Sequence, residues 1–245
     1  MCFSAEASFA VGIPLIPAGT YCVWAAARKK PSYLGLAAVP IFFGIQQISE
    51  GFVWHALHHQ DAAQIRAASL FFLFFALAFW PFWFPFLTTL MEPNSKRRWI
   101  FVALTALATS WFWVLYYPLV VGPESLLQTK ETHHSIRYDY YPRSAEETSE
   151  PDQGSEGLAV YQYVPRPLLQ ALYLATIALP MLLSSQAWGR LPGLVLGASA
   201  LLSAVVFHYA FVSVWCFFAA ALSMYLCVVF YRLPRALHKT DEAPG

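Results

Sequence analysis

The sequence predicts an all-α protein, a polytopic bundle of transmembrane helices, on three observations. First, 58% of the residues are hydrophobic and only 12% are charged, whereas an average soluble domain has about 25% charged residues. Second, the hydrophobic residues occur in blocks near the roughly 20 residues that a helix needs to cross a bilayer core. Third, the connections between blocks alternate between many and few basic residues, as loops on opposite sides of a membrane do. We expect one domain over residues 1–245.

Seven hydrophobic blocks are candidate spans. In chain order they are Glu6–Ala27, Tyr33–Leu57, Ile65–Met91, Trp99–Val121, Pro167–Ala187, Leu191–Phe211 and Val212–Tyr231. The last two blocks follow each other without a polar loop. We divide them because one helix over both would be about twice the length of a span.

Basic residues orient the predicted bundle. Ten of the fifteen lysine and arginine residues follow odd-numbered spans, as Arg28, Lys29 and Lys30 follow the first. The positive-inside rule assigns these connections to the cytoplasm, so the N-terminus is outside and the C-terminus inside. We expect a multi-pass integral membrane protein, with the lipid bilayer as its partner. No basic patch interleaved with aromatic residues suggests a nucleic-acid partner.

The connection Gly122–Arg166 is the one sizeable extramembrane segment in this prediction. Its centre, Ser144–Gly157, is acidic and lacks large apolar residues, which predicts disorder. The stretch before it, His133–Pro142, alternates aromatic and charged residues, a pattern typical of a strand or a segment packed on a surface. We expect that stretch to be ordered and to lie over the outer mouth of the bundle.

The second span holds the most unusual polar residues. Gln46, Glu50 and Trp54 follow at i, i+4 and i+8 and so share one helix face, with Gln47 three residues before Glu50. A carboxylate at the centre of a bilayer costs at least about 2.5–3.5 kcal/mol, so Glu50 must face protein or water. The carboxyl group either exchanges a proton or binds a cation, or it clamps a neighbouring helix through hydrogen bonds.

The last span contributes a second polar group. It carries a stripe of small and polar residues at helical spacing, namely Ser213, Cys216, Ala220, Ser223 and Cys227. Such a stripe is typical of helix packing. Its outer end is close in sequence to His208, so Glu50, His208 and Cys216 form a candidate site for zinc or another divalent metal.

If the first and last spans are neighbours, cysteines at the same depth in the membrane lie close together, which gives two pairs. Cys2 and Cys216 would then lie on the outer side, as a disulfide or as ligands of one metal ion. Cys22 and Cys227 would be reduced, buried thiols.

Three glycines recur every four residues at the start of the sixth span, at Gly189, Gly193 and Gly197. Such a pattern lets helix backbones approach closely. It predicts a packing face, within the bundle or between the protomers of a homo-oligomer.

Four separated motifs occur in the order MCFSAEASF, FGIQQISEGFVW, HHSIRYDYY and FVSVWCFFAAALS. Together they resemble an uncharacterised, mostly bacterial family of multi-pass membrane proteins of unknown function, whose members begin with MCFSA. The resemblance covers nearly the whole chain except Ser144–Gly157, which looks like an insert, and it implies no activity. The motifs contain the residues that we consider candidates for ligand binding. These are Cys2, Ser4, Gln46, Gln47, Glu50, Trp54, His134, Arg137, Tyr138, Trp215 and Cys216.

These residues predict a polar pocket that opens outward, with Gln46, Gln47 and Glu50 as its floor. Its walls are Trp54, His208, Trp215 and Cys216, and the motifs MCFSA and HHSIRYDYY cover it.

Three functions fit such a pocket. The first is binding or sensing of a small molecule, a lipid or a metal ion. The second is a membrane-embedded enzyme, hydrolase-like and metal-dependent, in which Glu50 is a general base or a metal ligand. The third is a transporter in which Glu50 exchanges a proton. The span count is similar to that of the membrane hydrolases that include alkaline ceramidases and adiponectin receptors, but this chain lacks their H-x-x-x-H pair in a late span.

Overall fold

A computed structural model of the protein describes four stretches of the chain, which are residues 4–140, 158–185, 187–206 and 211–232. They form a bundle of helices with one small β-hairpin. The expectations for Cys2, for His208 and for the acidic stretch Ser144–Gly157 lie outside the described residues.

The first half of the chain forms helices joined by short turns. They are α1 (Ala5–Lys29), α2 (Leu34–Ala37), α3 (Val39–His59), α4 (Ala62–Leu73), α5 (Trp80–Met91), α6 (Ser95–Ala108) and α7 (Tyr117–Val121). A π-helical segment, Phe74–Phe79, joins α4 to α5, and a second one, Phe112–Tyr116, precedes α7. Short 3₁₀ turns occur at Pro31–Tyr33 and Glu124–Leu126.

The second half of the chain begins with the hairpin and continues with helices. Its elements are β1 (Gln128–Thr132), β2 (Ser135–Asp139), α8 (Val160–Tyr163), α9 (Arg166–Leu183), α10 (Ala187–Val206), α11 (Phe211–Ser223) and α12 (Tyr225–Arg232). The hairpin is a departure from the all-α prediction. Its second strand, β2, lies within the alternating stretch His133–Pro142, for which a strand was one of the two expectations.

Within the described residues, five continuous helical stretches are long and apolar enough to cross a membrane. They are Ala5–Lys29, Pro31–His59, Ala62–Met91, Ser95–Val121 and Phe211–Arg232, and each contains one of the predicted spans in full. The other two predicted spans also form helices, α9 and α10, but the apolar stretches there are shorter, Pro167–Leu183 and Gly193–Ser203. Seven crossings and the orientation of the termini therefore stay predictions.

Polar residues at the helix ends explain where several helices begin. The hydroxyl of Ser4 accepts a hydrogen bond from the backbone N–H of Ala7 at 3.2 Å, which caps α1. Asp61 caps α4 in the same way. Ser4, which the sequence suggested for ligand binding, thus has a structural role.

Helices α1 and α3 approach each other closely because glycines lie where they cross. A Cβ atom added to Gly12 would lie 2.9 Å from the carbonyl oxygen of Gly44. One added to Gly19 would lie 2.7 Å from the backbone nitrogen of Ile41. Glycine therefore sets the distance between these two helices.

The β-hairpin packs on α4. The hydroxyl of Thr129 donates a hydrogen bond to Ser69 Oγ at 2.9 Å. The ring of Tyr138 stacks on Phe72, with 5.1 Å between centroids. The backbone N–H of Leu158 donates to the carbonyl of Tyr140 at 3.0 Å, so residues 140 and 158 are held together at the two ends of the undescribed stretch.

At the end of the bundle away from the hairpin, a buried carboxylate joins two connections. Glu92, between α5 and α6, accepts hydrogen bonds through Oε2 from Ser184 Oγ at 3.1 Å and from Ser185 N at 2.9 Å. Its Oε1 accepts from the backbone N–H of Asn94 at 3.1 Å. Burial raises the pKa of Glu92, but the hydrogen bonds outweigh burial and hold the pKa below its ordinary value. Glu92 therefore stabilises the fold as a carboxylate.

Replacing Glu92 with glutamine should destabilise the protein in a pH-dependent way. The pKa is lower in the folded than in the unfolded state, so the stabilisation is complete above the ordinary value of 4.5 and is lost as the pH falls through the folded pKa. We expect E92Q to lower the free energy of unfolding at neutral pH by about 1.5–3 kcal/mol, the contribution of one hydrogen bond to a charged group.

Thermal unfolding in detergent, measured from neutral pH downward, tests this prediction. The difference between E92Q and the wild type should shrink below pH 4.5, the ordinary pKa of the carboxyl. The exposed Glu124 provides the control variant E124Q. A difference that stays constant with pH would show that the charge of Glu92 does not stabilise the fold.

Candidate functional site

An aromatic cavity lies beneath the hairpin and is the candidate site; we call it the first cavity. It encloses about 640 Å³, including the space at its open mouth. Its walls come from the hairpin, from α8, α9 and α11, and from the two π-helical regions. The lining residues are Ala76, Leu77, Trp111, Leu115, Ile136, Tyr138, Tyr140, Tyr161, Leu169, Gln170, Tyr173, Phe211, Val212, Ser213 and Trp215.

The hairpin forms the roof of the first cavity through alternate residues of β2. Ile136, Tyr138 and Tyr140 all line it, because side chains at i, i+2 and i+4 point to the same face of a strand. Arg137 and Asp139 lie at the intervening positions, and the Arg137 guanidinium donates to the Asp139 carboxylate. The alternation in the sequence thus separates cavity residues from paired charges.

The two π-helical segments meet at the first cavity. Phe74 of the first segment packs edge-on against Tyr116 of the second, with centroids 5.6 Å apart. Leu77 and Leu115, one from each segment, line the cavity, and the hydroxyl of Tyr173 donates to the carbonyl of Ala76. Interruptions of this kind within α-helices are frequent at functional sites.

Aromatic rings form the deep wall of the first cavity. Trp215 stacks on Phe211 with 5.8 Å between centroids and meets Tyr173 edge-on at 5.8 Å. Trp111 meets the same tyrosine edge-on at 5.7 Å. Gln170 and Ser213 add polar groups. A largely apolar wall with a few polar groups is the composition of small-molecule sites.

The polar residues of α3 lie behind this wall and contact α11. The hydroxyl of Ser213 donates to Glu50 Oε1 at 2.5 Å. The Gln46 amide donates through Nε2 to Cys216 Sγ at 3.3 Å and accepts through Oε1 from Trp80 Nε1 at 2.7 Å. Gln46 and Glu50 are fully buried.

The first cavity is therefore not the pocket expected from the sequence, and that pocket stays a prediction. Gln46, Gln47 and Glu50 do not line the first cavity. Their side chains are used in the contact between α3 and α11 or are enclosed within the bundle, and Ser213 is the residue that touches both Glu50 and the cavity. Of the two wall residues Trp215 and Cys216, only the tryptophan lines it.

The other candidate residues have separate places. Trp54 is buried beside His58, with ring centroids 6.0 Å apart, and does not line the first cavity. His134 is exposed at the tip of the hairpin, where His133 and His134 have φ values of 49° and 56°. A two-residue turn with both φ angles positive matches the twist of a hairpin, so the two histidines form the turn, and His134 does not line the first cavity.

Among the described residues, no group of three His, Cys, Asp or Glu side chains is arranged to hold a metal ion. Glu50 and Cys216 both lie at the contact between α3 and α11, where Ser213 and Gln46 are their partners. Because His208 lies outside the described residues, the metal site of Glu50, His208 and Cys216 stays a prediction.

Helices α1 and α12 are neighbours, which is the condition under which the sequence predicted that Cys22 and Cys227 lie close together. Cys22 of α1 and Cys227 of α12 have their sulfur atoms 3.3 Å apart, and both are free thiols. The expected closeness of these two cysteines is confirmed, although only Cys22 is fully buried and Cys227 is partly exposed; that both stay reduced in the cell stays a prediction.

Several residues of the first cavity were missed in the sequence. Trp111, Tyr173 and Phe211 lie in or beside hydrophobic blocks, where aromatic residues ordinarily indicate packing or an interfacial belt. The alternation in and after β2 could have identified two further residues, because Ile136 and Tyr140 lie two positions from Tyr138 and so share its face of the strand.

Comparison with known proteins identifies the family of this chain but no activity. The chain belongs to the family described as Family of unknown function (DUF6629), whose model matches residues 1–123 and 154–241. No curated protein and no solved structure matched the chain. The resemblance to an uncharacterised family is thus confirmed. Its expected extent is not, because residues 124–153 are outside the match and contain the motif HHSIRYDYY, the hairpin and its three roof residues.

Proposed function

We propose that this chain is a multi-pass integral membrane protein that binds or senses a small, largely apolar molecule or lipid in the first cavity. The observation that carries the proposal is the composition of that cavity. Seven of the 15 described residues that line it are aromatic. Rings provide a large apolar contact area, and those of tyrosine and tryptophan also carry one hydrogen-bonding group.

The surface of the bundle supports the membrane part of the proposal. Trp99 is 72% exposed, Leu107 67% and Leu201 65%. Apolar surface of this extent is favourable in lipid and costly in water. The distribution of lysine and arginine favours an orientation with the hairpin outside, so the first cavity would open outward. The resemblance to a mostly bacterial family suggests a location in the bacterial cytoplasmic (inner) membrane.

Binding is favoured over hydrolysis by what the first cavity contains. None of the described residues that line it is a histidine, cysteine, aspartate, glutamate, lysine or arginine, and those types supply most general acids, bases and metal ligands. The enzyme and transporter alternatives would both depend on Glu50, which does not line it.

Ser213 supports the sensing variant of this proposal. Its side chain lies at the first cavity and also donates to Glu50 across the contact between α3 and α11. A ligand that accepts the hydrogen of this hydroxyl would compete with Glu50. Occupancy of the cavity would then change the contact between two helices, which is the physical basis of a signal.

A binding titration with a fluorescent polyene fatty acid in lipid nanodiscs tests the proposal. The probe should accept energy from tryptophan and saturate, above the background of empty nanodiscs. Trp111→Ala should weaken the affinity about tenfold or more, which corresponds to about 1.4 kcal/mol of lost ring contact.

Trp113→Ala is the matched control for this titration, because Trp113 is two residues away and exposed. It should leave the affinity unchanged. Equal affinities of both variants and the wild type, or binding that never saturates, would contradict a ligand in the first cavity. Mass spectrometry of an organic extract would then identify any lipid that remains bound to the purified protein.

A further inference from the structure

A second cavity lies further along the bundle, towards the end away from the hairpin. It encloses about 480 Å³ including its open mouth. Its lining is mostly aliphatic and aromatic, with Val39, Phe43, Met181 and Leu226 as examples. The hydroxyl of Ser223 at this cavity is already used, because it donates to the carbonyl of Ala220 at 2.6 Å. The second cavity is therefore suited to hydrocarbon.

The two cavities share three helical stretches, which are residues 76–84, α9 and α11. Along each helix, side chains four residues apart lie on one face. Two sets of three residues at this spacing connect the cavities, namely Ala76, Trp80 and Phe84 before and in α5, and Tyr173, Ile177 and Met181 in α9. In each set the first residue lines the first cavity, the second is buried, and the third lines the second cavity.

In helix α11 the two cavities are only one turn apart. Trp215 lines the first cavity, and Ala219, four residues later, lines the second. Four to eight residues of helix rise about 6–12 Å. The separation is thus on the scale of a single large side chain.

Trp80 is the larger of the two buried residues in the middle of these sets. Its indole stacks on Phe43, which lines the second cavity, with ring centroids 3.9 Å apart. Its Nε1 donates to Gln46, and Gln46 in turn donates to Cys216. One indole and one amide, joined by a hydrogen bond, therefore lie between residues of the two cavities.

Trp80 also follows directly on the π-helical segment Phe74–Phe79. Conversion of such a segment to an α-helix would rotate the residues after it, since the two helices have different numbers of residues per turn. The backbone before Trp80 thus provides a means of moving the indole without unfolding α5.

We propose that the two cavities form one binding path for a single-chain amphiphile and that the Trp80 side chain is the gate between them. The inference rests on the proposed function. The polar end of the ligand lies in the first cavity, where tyrosines, Gln170 and Ser213 provide hydrogen-bonding groups. The hydrocarbon chain extends past Trp80 into the second cavity.

Photochemical cross-linking with two fatty-acid probes tests the path. One probe carries a diazirine next to the carboxyl group and the other carries it at the methyl end. In the wild-type protein in nanodiscs, the carboxyl-end probe should label residues of the first cavity such as Tyr138. The methyl-end probe should label residues of the second cavity such as Met181 and Leu226.

The positions of the labels distinguish the possible outcomes. Labels of both probes confined to the first cavity would overturn the shared path and leave the proposed function in place. Labels confined to exposed residues such as Trp113 and Leu107 would overturn both.

A variant that fills the second cavity provides an independent test. Met181→Trp should weaken the binding of a sixteen-carbon fatty acid at least tenfold and leave that of an eight-carbon one unchanged, because only the longer chain passes Trp80. Met181→Leu, of similar volume, is the control for folding. Equal effects of Met181→Trp on both chain lengths, or no effect on either, would contradict the inference.

Discussion

Gly12→Val should force α1 away from α3 and lower the free energy of unfolding by about 3 kcal/mol or more, the upper range for an overpacked core. A Cβ at this position would lie 2.9 Å from both the carbonyl oxygen of Gly44 and the backbone nitrogen of Ile48. Both are backbone atoms, so no change of rotamer on α3 can relieve the overlap. The branched side chain of valine makes it worse.

Gly197→Val is the matched control, because a Cβ at Gly197 would meet nothing within 4 Å. Both variants place valine in a helix and differ in what surrounds it. Thermal unfolding in detergent should show a large loss for Gly12→Val and little change for Gly197→Val. Equal losses would contradict the role assigned to close packing.

The same samples test the homo-oligomer predicted from Gly189, Gly193 and Gly197. Gly193 packs on Met181 and Leu182 of its own chain, whereas Gly197 has open space around it. If protomers meet at this face, light scattering should show a lower molar mass for Gly197→Val than for the wild type.

Trp80→Ala should have the second large effect, a loss of about 3–5 kcal/mol in the free energy of unfolding. The indole is 2% exposed and stacks on Phe43. Its removal therefore leaves an empty space in the layer between the two cavities. Trp80→Phe retains a ring against Phe43 but removes the hydrogen bond to Gln46. We expect Trp80→Phe to lower the free energy of unfolding by about 1–3 kcal/mol, because the side-chain oxygen Oε1 of Gln46 is then buried without that donor.

Cys216 reports on the same layer through its reactivity. It is 1% exposed and accepts a hydrogen bond from Gln46. Maleimide labelling, located by peptide mass spectrometry, should be slow in the wild type and fast in Trp80→Ala. Cys22 is equally buried but belongs to the contact between α1 and α12, so its labelling should not change. Unchanged labelling of Cys216 in Trp80→Ala would show that Trp80 does not close this layer.

The helices and the family could be predicted from the sequence because their signals are local. A run of apolar residues is helical in lipid whatever its neighbours are, since every backbone polar group must be satisfied within the segment. The importance of Gln46 and Glu50 followed in the same way, because polar groups in an apolar run need partners. The partners themselves, Ser213, Cys216 and Trp80, lie on other helices.

What the sequence determined by itself is therefore the set of helices, the alternation of β2 and the presence of a polar contact on α3. Only the tertiary structure decided that this contact faces α11, that aromatic residues from distant segments enclose a cavity, and that Glu92 joins two connections. The physical reason is that periodicity specifies which residues share a face. The face that meets another helix depends on rotation and separation, which close contacts such as that of Gly12 with Gly44 decide.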